Sequence, residues 1–283
     1  MFEIKGSVNT AICYAKVVDN DAIEQIRRMC DYPMTEGSKI RIMPDVHPGK
    51  GCTIGTTMTV VEKAVPNVVG VDIGCGMYTV NLGKQDIDFA TFDAVANYIP
   101  HGREVWKARK VKFDLTRLDC YRELKDVRRL EKSIGTLGGG NHFIEIDIAS
   151  DGTKYLVIHS GSRNLGLQVA NYYQQLAIDL HHGAEEYLKQ REELINTYKS
   201  QGRRGEIRDT LKELVWNKTE TDIPDDLCYL YGKYFDSYLH DVEICQEFAR
   251  LNREIMAQIL IEKNGLVQVN ASIPFIIISI LRK

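Results

Sequence analysis

The rhythm of hydrophobic and polar positions changes along this chain. Up to about residue 84, short apolar runs alternate with turn residues; Ala11–Val18, Lys39–Met43, Thr53–Glu62 and Val68–Ile73 read as strands. Asp21–Cys30 reads as a helix, because Ile23, Ile26 and Met29 recur at helical spacing and Asp21 can cap the start. Residues 85–135 are more charged, with a helix predicted over Phe92–Tyr98. Phe143–Ile148 and Lys154–His159 then return to strand patterning, with Asp151-Gly152 between them as a hairpin turn. From Leu167 to about Lys263 the rhythm is helical: Leu176 with Leu180, Leu188 with Ile195 and Leu211 with Val215 lie on apolar stripes. The pattern predicts an α+β fold in which mixed β-sheets carry glycine-rich loops and helices lie mainly in the second half.

Composition narrows the class. With 44% hydrophobic and 27% charged residues over 283 positions, the chain reads as an ordinary globular protein with ample length for a core. A net charge of -3 provides no global basic field, so any nucleic-acid surface has to be a local patch. The longest apolar run, Ile273–Leu281, contains Pro274 and Ser279 and is much shorter than the roughly 20 residues of a spanning helix, so no membrane is expected. Met1–Gly6 carries Glu3 and Lys5 with no long apolar stretch behind it, which is unlike an export signal. The seven cysteines are therefore expected to be reduced thiols in the cytoplasm.

Two charged tracts stand out. Trp106–Arg129 is rich in Lys and Arg and reads either as a solvated helical face or as a track for a phosphate backbone. Glu185–Arg208 reads as an exposed helical hairpin whose tip, Arg203-Arg204 between Gly202 and Gly205, could meet an anionic partner.

Four blocks place acids, a thiol and histidines among glycines: Met43-Pro44-Asp45-Val46-His47, Gly70-Val71-Asp72-Ile73-Gly74-Cys75-Gly76, Gly135-Thr136-Leu137-Gly138-Gly139-Gly140-Asn141-His142, and His159-Ser160-Gly161-Ser162-Arg163. Asp, Cys and His together supply ligands for a transition metal. Asp72 and Cys75 sit three apart, with glycines that let the chain turn until carboxylate and thiolate converge. His142 follows a triple glycine whose consecutive N–H groups suit phosphate oxygens, and Asn141 adds a donor. His159 ends an apolar strand, and the hydroxyls and guanidinium after it suit a phosphate. Lys50, between Gly49 and Gly51, could bind phosphate too, although the Walker spacing is missing. Each block also has a structural reading: a buried free cysteine in a glycine turn, or a core histidine with its hydrogen bonds satisfied. On ligand softness alone, a thiolate with imidazoles suits zinc better than manganese. No Gly-x-Ser-x-Gly, Cys-x-x-Cys or Gly-x-Gly-x-x-Gly motif occurs, which leaves serine hydrolase, zinc-ribbon and dinucleotide-binding readings without support.

Taken together, in order and spacing, the four blocks closely resemble the RtcB-type RNA-splicing ligases, from about residue 5 to about residue 263. The resemblance implies a ligase domain over 1–263, incomplete at its C-terminal side, with an atypical apolar tail over 264–283. It implies a GTP- and manganese-dependent enzyme that joins an RNA 3′-phosphate or 2′,3′-cyclic phosphate end to a 5′-hydroxyl end, as in RNA repair and tRNA splicing, through a GMP-histidine intermediate. By motif, two manganese ions map onto Asp72, Cys75, His142 and His159. The GTP contacts map onto Asn141, His142, Phe143, Ile144 and Glu145, and RNA contacts onto Arg163, Asp45 and Lys50. An archease-type activator is a further partner that the resemblance implies, while the oligomeric state stays open.

The sequence also departs from the family pattern. The family's third metal histidine and its GMP-carrying histidine have no counterpart after His240, which sits in an amphipathic helix with no glycine loop beside it. The expectation is a truncated chain that keeps part of the metal and nucleotide site without a catalytic histidine of its own. Two alternatives follow: a non-catalytic metal- and RNA-binding remnant, or a metal-dependent cyclic phosphoesterase.

Overall fold

A computed structural model of the chain describes residues 1–49, 51–269 and 273–276. The fold is α+β, as the patterning predicts, and divides into two compact units: Met1–Val68 with Tyr173–Gly232, and Val69–Tyr172 with Lys233–Lys283.

The first unit is built on a sheet of Phe2–Lys5, Thr10–Cys13, Ile40–His47 and Ile54–Met58, in that order. Thr10–Cys13 and Ile40–His47 run parallel, whereas the other neighbours are antiparallel. A parallel pair needs a crossover, and the helix Asn20–Cys30 supplies it. Its apolar stripe of Ile26, Met29 and Cys30 joins Ile4, Ala11, Ile40 and Ile42 in the core. Asp19, rather than Asp21, holds the N-cap position; Asp21 falls in the first turn, where a carboxylate complements the helix dipole. In the same unit, Glu185–Ser200 and Ile207–Leu211 form the expected exposed hairpin, and neither helix buries a residue. Arg203 at its tip pairs with Glu206.

Several strands differ from their predicted limits. Ala11–Val18 contracts to Thr10–Cys13 and Thr53–Glu62 to Ile54–Met58, while Lys39–Met43 extends to His47. Pro44 lacks an N–H for the ladder, and the register shifts between Ile42 and His47 to accommodate it. Val68–Ile73 is not a strand. Pro66 starts a helical turn over Pro66–Val69, and Gly70 at φ 93° then turns the chain through the left-handed region.

The second unit holds a sheet in the order Ile273–Ile276, Gly76–Gly83, Lys154–Ser160, Phe143–Ile148, antiparallel throughout. Lys154–Ser160 is an inner strand buried on both faces, which explains its unbroken run Leu156-Val157-Ile158. Leu156 and Ile158 pack with Val80, Leu82, Phe92, Met256 and Leu260. The helix Gly232–Asn264 buries Tyr238, Val242, Cys245, Ala249, Asn252, Met256 and Leu260, a stripe of three- and four-residue steps.

The helical face expected over Trp106–Arg129 does not form. The segment makes 3-10 turns at Leu115–Arg117 and Tyr121–Glu123 before the short helix Val127–Glu131. Leu115, Leu118 and Tyr121 recur every three residues, which matches a 3-10 repeat and not a 3.6-residue one. Lys50 and half of the expected tail, including Ile277–Leu281 of the apolar run, lie outside the described residues. Among the described residues, no helix is long and apolar enough to cross a membrane.

Burial, not residue type, sets the cost of truncation in the second sheet. Ile158→Ala removes a fully buried side chain and is expected to cost about 2–5 kcal/mol. Ile148→Ala, at a position 59% exposed, is expected to stay within about 0.5 kcal/mol. Urea unfolding of the two variants, followed by circular dichroism, checks this difference.

Candidate metal centre

Antiparallel pairing on both sides of Lys154–Ser160 brings three of the four blocks together. The C-terminal end of that strand lies beside the N-terminal starts of both neighbours. His159 is paired with Met77 on one side and Phe143 on the other. Cys75 and His142, each just ahead of a neighbouring strand, therefore emerge at the same sheet end as His159. Asp72 reaches this end through a tight turn, in which the Cys75 N–H donates to the Asp72 carbonyl at 3.0 Å.

The donor atoms converge on the Cys75 sulfur. Cys75 Sγ lies 3.0 Å from His159 Nε2 and 3.9 Å from His142 Nε2, and His142 Nε2 lies 2.9 Å from Asp72 Oδ2. One ligand atom each from Asp72, Cys75 and His142 falls within 4.8 Å of the others. His142 Nδ1 is 3.0 Å from the Leu137 carbonyl, and a carbonyl can only accept, so Nδ1 carries a proton. In the neutral ring, Nε2 then presents a lone pair towards a carboxylate and a sulfur. Two acceptors, the Asp72 carboxylate and the His142 lone pair, then face each other at 2.9 Å, which calls for a cation between them, either a second ring proton or a metal ion. A histidine that donates its far N–H to a backbone carbonyl is also the arrangement metal-bound imidazoles adopt. The donor set thus fits a divalent transition ion, with sulfur in the position shared by both histidines.

Burial first, and the Asp72 carboxylate second, push the Cys75 thiol up to about 12. Burial, then repulsion from His142, lowers His159 below the ordinary histidine range, so its ring is neutral at pH 7.

Two glycines are required by close approach. A Cβ at Gly138, held at φ 94°, would run into the Arg163 guanidinium and His142 Nδ1, and one at Gly161 would overlap the Asp72 carboxylate.

Arg163 lies beside this cluster and starts the helix Arg163–His181 with φ 59°, a left-handed conformation that is rare for a residue with a side chain. Its Nε donates to Thr136 Oγ1 at 3.0 Å and its Nη2 to the Gly102 carbonyl at 2.8 Å. It also lines a cavity of about 510 Å³ with Arg103, Lys125, Arg129 and Asn164, where Asp126 is the single acid. The basic tract is therefore partly a cavity wall.

The other predicted residues fall as follows. Asn141 and Glu145 are exposed, Phe143 stacks edge-on to His159 with centroids 5.3 Å apart, and Ile144 packs against the core. Asp45 is exposed in the first unit, where its carbonyl lies 2.8 Å from His47 Nδ1. Lys50 is outside the described residues. Asn252 and Arg253, both fully buried, bond to the ligand-bearing loops and escaped the sequence reading. The signal was present: two adjacent polar residues interrupt the apolar stripe of a long helix.

The family model described as tRNA-splicing ligase RtcB matches residues 25–126 and 116–271. The chain is 31% identical over 266 residues to RNA-splicing ligase RtcB of Escherichia coli K12, covering 85% of this chain and 57% of that protein. RNA-splicing ligase RtcB1 of Escherichia coli ATCC 25922 matches to the same extent. The tRNA-splicing ligase RtcB of Aeropyrum pernix is 27% identical over 191 residues, covering 47% of this chain and 39% of that protein. The chain thus spans about 57% of the length of the Escherichia coli relatives it matches. With a family match over most of its length, carrying the blocks that build the cluster, the chain belongs to the tRNA-splicing ligase RtcB family.

Proposed function

We propose that this chain carries the metal- and phosphate-binding part of an RNA ligase centre. The reaction joins an RNA end bearing a 3′-phosphate or 2′,3′-cyclic phosphate to a 5′-hydroxyl end, with GTP and two manganese ions as cofactors. In this reading GMP passes from GTP to a histidine, and no residue of this chain is assigned as that carrier. The observation that carries the proposal is the convergence of Asp72, Cys75, His142 and His159 at one sheet end, beside an arginine-lined cavity.

Bound cations would neutralise the crowded phosphoryl centre and align attacking and leaving oxygens. The chain's own residues have separate tasks. Asp72, Cys75 and the Nε2 atoms of His142 and His159 would hold the ions, and the Leu137 carbonyl keeps the His142 lone pair pointing inward. In this reading Asn141 meets the nucleotide phosphate and Glu145 the guanine edge; both side chains are exposed, as that role requires. Arg163 and its cationic neighbours hold the RNA phosphate, with Arg163 fixed in place by Thr136 and Gly102.

Three outcomes test this reading. Cys75→Ser removes the shared sulfur, so its affinity for Mn²⁺ or Co²⁺ in calorimetry should fall by more than the roughly 10- to 100-fold that losing an outer-shell partner costs. Wild-type affinity in that variant would sink the proposal.

The pH dependence has a definite sign. The metal-free thiol is protonated at neutral pH because its pKa is pushed up to about 12, and a metal ligand must be the thiolate. Binding therefore expels a proton. Affinity should climb as pH rises from 6.5 to 8.5, by up to about tenfold per unit for one proton. Titration in buffers of different ionisation enthalpy counts the protons released.

Arg163→Met should weaken binding of a 3′-phosphorylated RNA by about 1.5–3 kcal/mol, the range for a hydrogen bond to a charged group. It should also lower the salt slope of log K by about 0.7, as expected for one lost contact to a single strand. Fluorescence anisotropy at several salt concentrations checks both, and an unchanged slope would remove Arg163 from the phosphate site.

A further inference from the structure

The helix Gly232–Asn264 buries three polar side chains where its stripe calls for apolar ones, Asp241, Asn252 and Arg253, and the last two, at 0% and 1% exposure, are adjacent. Asn252 Oδ1 accepts from the N–H groups of Gly135 at 2.7 Å and Thr136 at 2.9 Å. Its Nδ2 donates to Ser160 Oγ and the Gly161 carbonyl, both at 3.1 Å. Arg253 Nη1 donates to the Gly74 carbonyl at 2.8 Å and the Ser160 carbonyl at 2.6 Å.

These bonds land next to the candidate ligands. Gly74 lies between Asp72 and Cys75, Ser160 and Gly161 follow His159, and Gly135-Thr136 opens the loop that ends at His142. Two successive residues of one rigid helix therefore clamp all three ligand-bearing segments.

Core stability does not account for this choice. Burying a guanidinium carries a large desolvation cost, and a well-packed apolar side chain of similar volume is often as stable or more so. The Arg253 Nε atom has no hydrogen-bond partner among the described residues, so the cation is not fully satisfied. Its charge faces Cys75 first and Asp72 second.

We propose that Asn252 and Arg253 are positioning residues for the metal centre, fixing the separations at which Asp72, Cys75, His142 and His159 converge on an ion. This rests on the metal reading above.

The test uses the full chain and Co²⁺ as a spectroscopic probe. The wild type is expected to show thiolate-to-cobalt absorption, and absence of that band overturns the metal reading and this proposal together. Arg253→Lys keeps the charge but not the two-carbonyl fork, and Asn252→Asp keeps the acceptor but not the donor. Each should weaken Co²⁺ binding by about 10- to 100-fold and alter the absorption spectrum at temperatures where circular dichroism shows the metal-free variant still folded. Variants that melt earlier yet bind Co²⁺ with wild-type affinity and spectrum would make the pair merely structural and overturn the proposal. If both variants fail to fold, hydrogen exchange on the wild type decides. Coupling is reciprocal, so Co²⁺ should slow exchange of the Gly135 and Thr136 amides that donate to Asn252. Unchanged exchange there overturns the proposal.

Discussion

The second unit depends on the antiparallel register of one inner strand. Lys154–Ser160 pairs with Gly76–Gly83 on one side and Phe143–Ile148 on the other, so its C-terminal end meets two N-terminal starts. Neighbouring strands lie about 4.8 Å apart, which is the scale on which side chains from adjacent strands share one ion. A one-residue slip would move His159 to the opposite face and break the cluster. The apolar run Leu156-Val157-Ile158 opposes such a slip, because it is packed on both faces of the sheet. The hydrophobic core is thus what holds the polar site in register.

Register brings the ligands together but leaves a problem of charge. Asp72, Cys75 and the His142 lone pair are mutually unfavourable neighbours, and burial makes that worse by weakening screening. The metal-free protein relieves this by keeping the thiol protonated. Arg253 opposes the same negative charge from the other side of the Asp72–Cys75 turn. An ion that enters is therefore replacing protons, in a geometry already held by backbone carbonyls.

Part of this was legible in the sequence, and the reason differs by residue. That Asp72, Cys75, His142 and His159 come together was legible because few residue types offer such ligand atoms, and close approach restricts their neighbours to glycine. The strands over Phe143–Ile148 and Lys154–Ser160 were legible because the hairpin is local. Val68–Ile73 misled because its apolar residues sit in a helical turn and a glycine bend, for which period-2 patterning has no signature. Trp106–Arg129 misled in the same way, since charge says nothing about whether a turn closes over three or four residues. Asn252 and Arg253 stayed hidden because their partners lie 91 to 179 positions away along the chain.

One peptide links the cationic cavity to the ligand cluster. The Leu137 carbonyl accepts from both His142 Nδ1 and Ser160 Oγ, and the Leu137 N–H donates to the Pro100 carbonyl. The next carbonyl, of Gly138, accepts from the Gly102 N–H, and the Gly102 carbonyl accepts from Arg163 Nη2. Gly102 and Arg163 line the cavity, while His142 belongs to the cluster. The cationic cavity and the cluster are thus tied to one short backbone segment. Arg163, in a left-handed conformation, is held between Gly102 and Thr136 on the cavity side, and His142 Nδ1 faces the Leu137 carbonyl on the other.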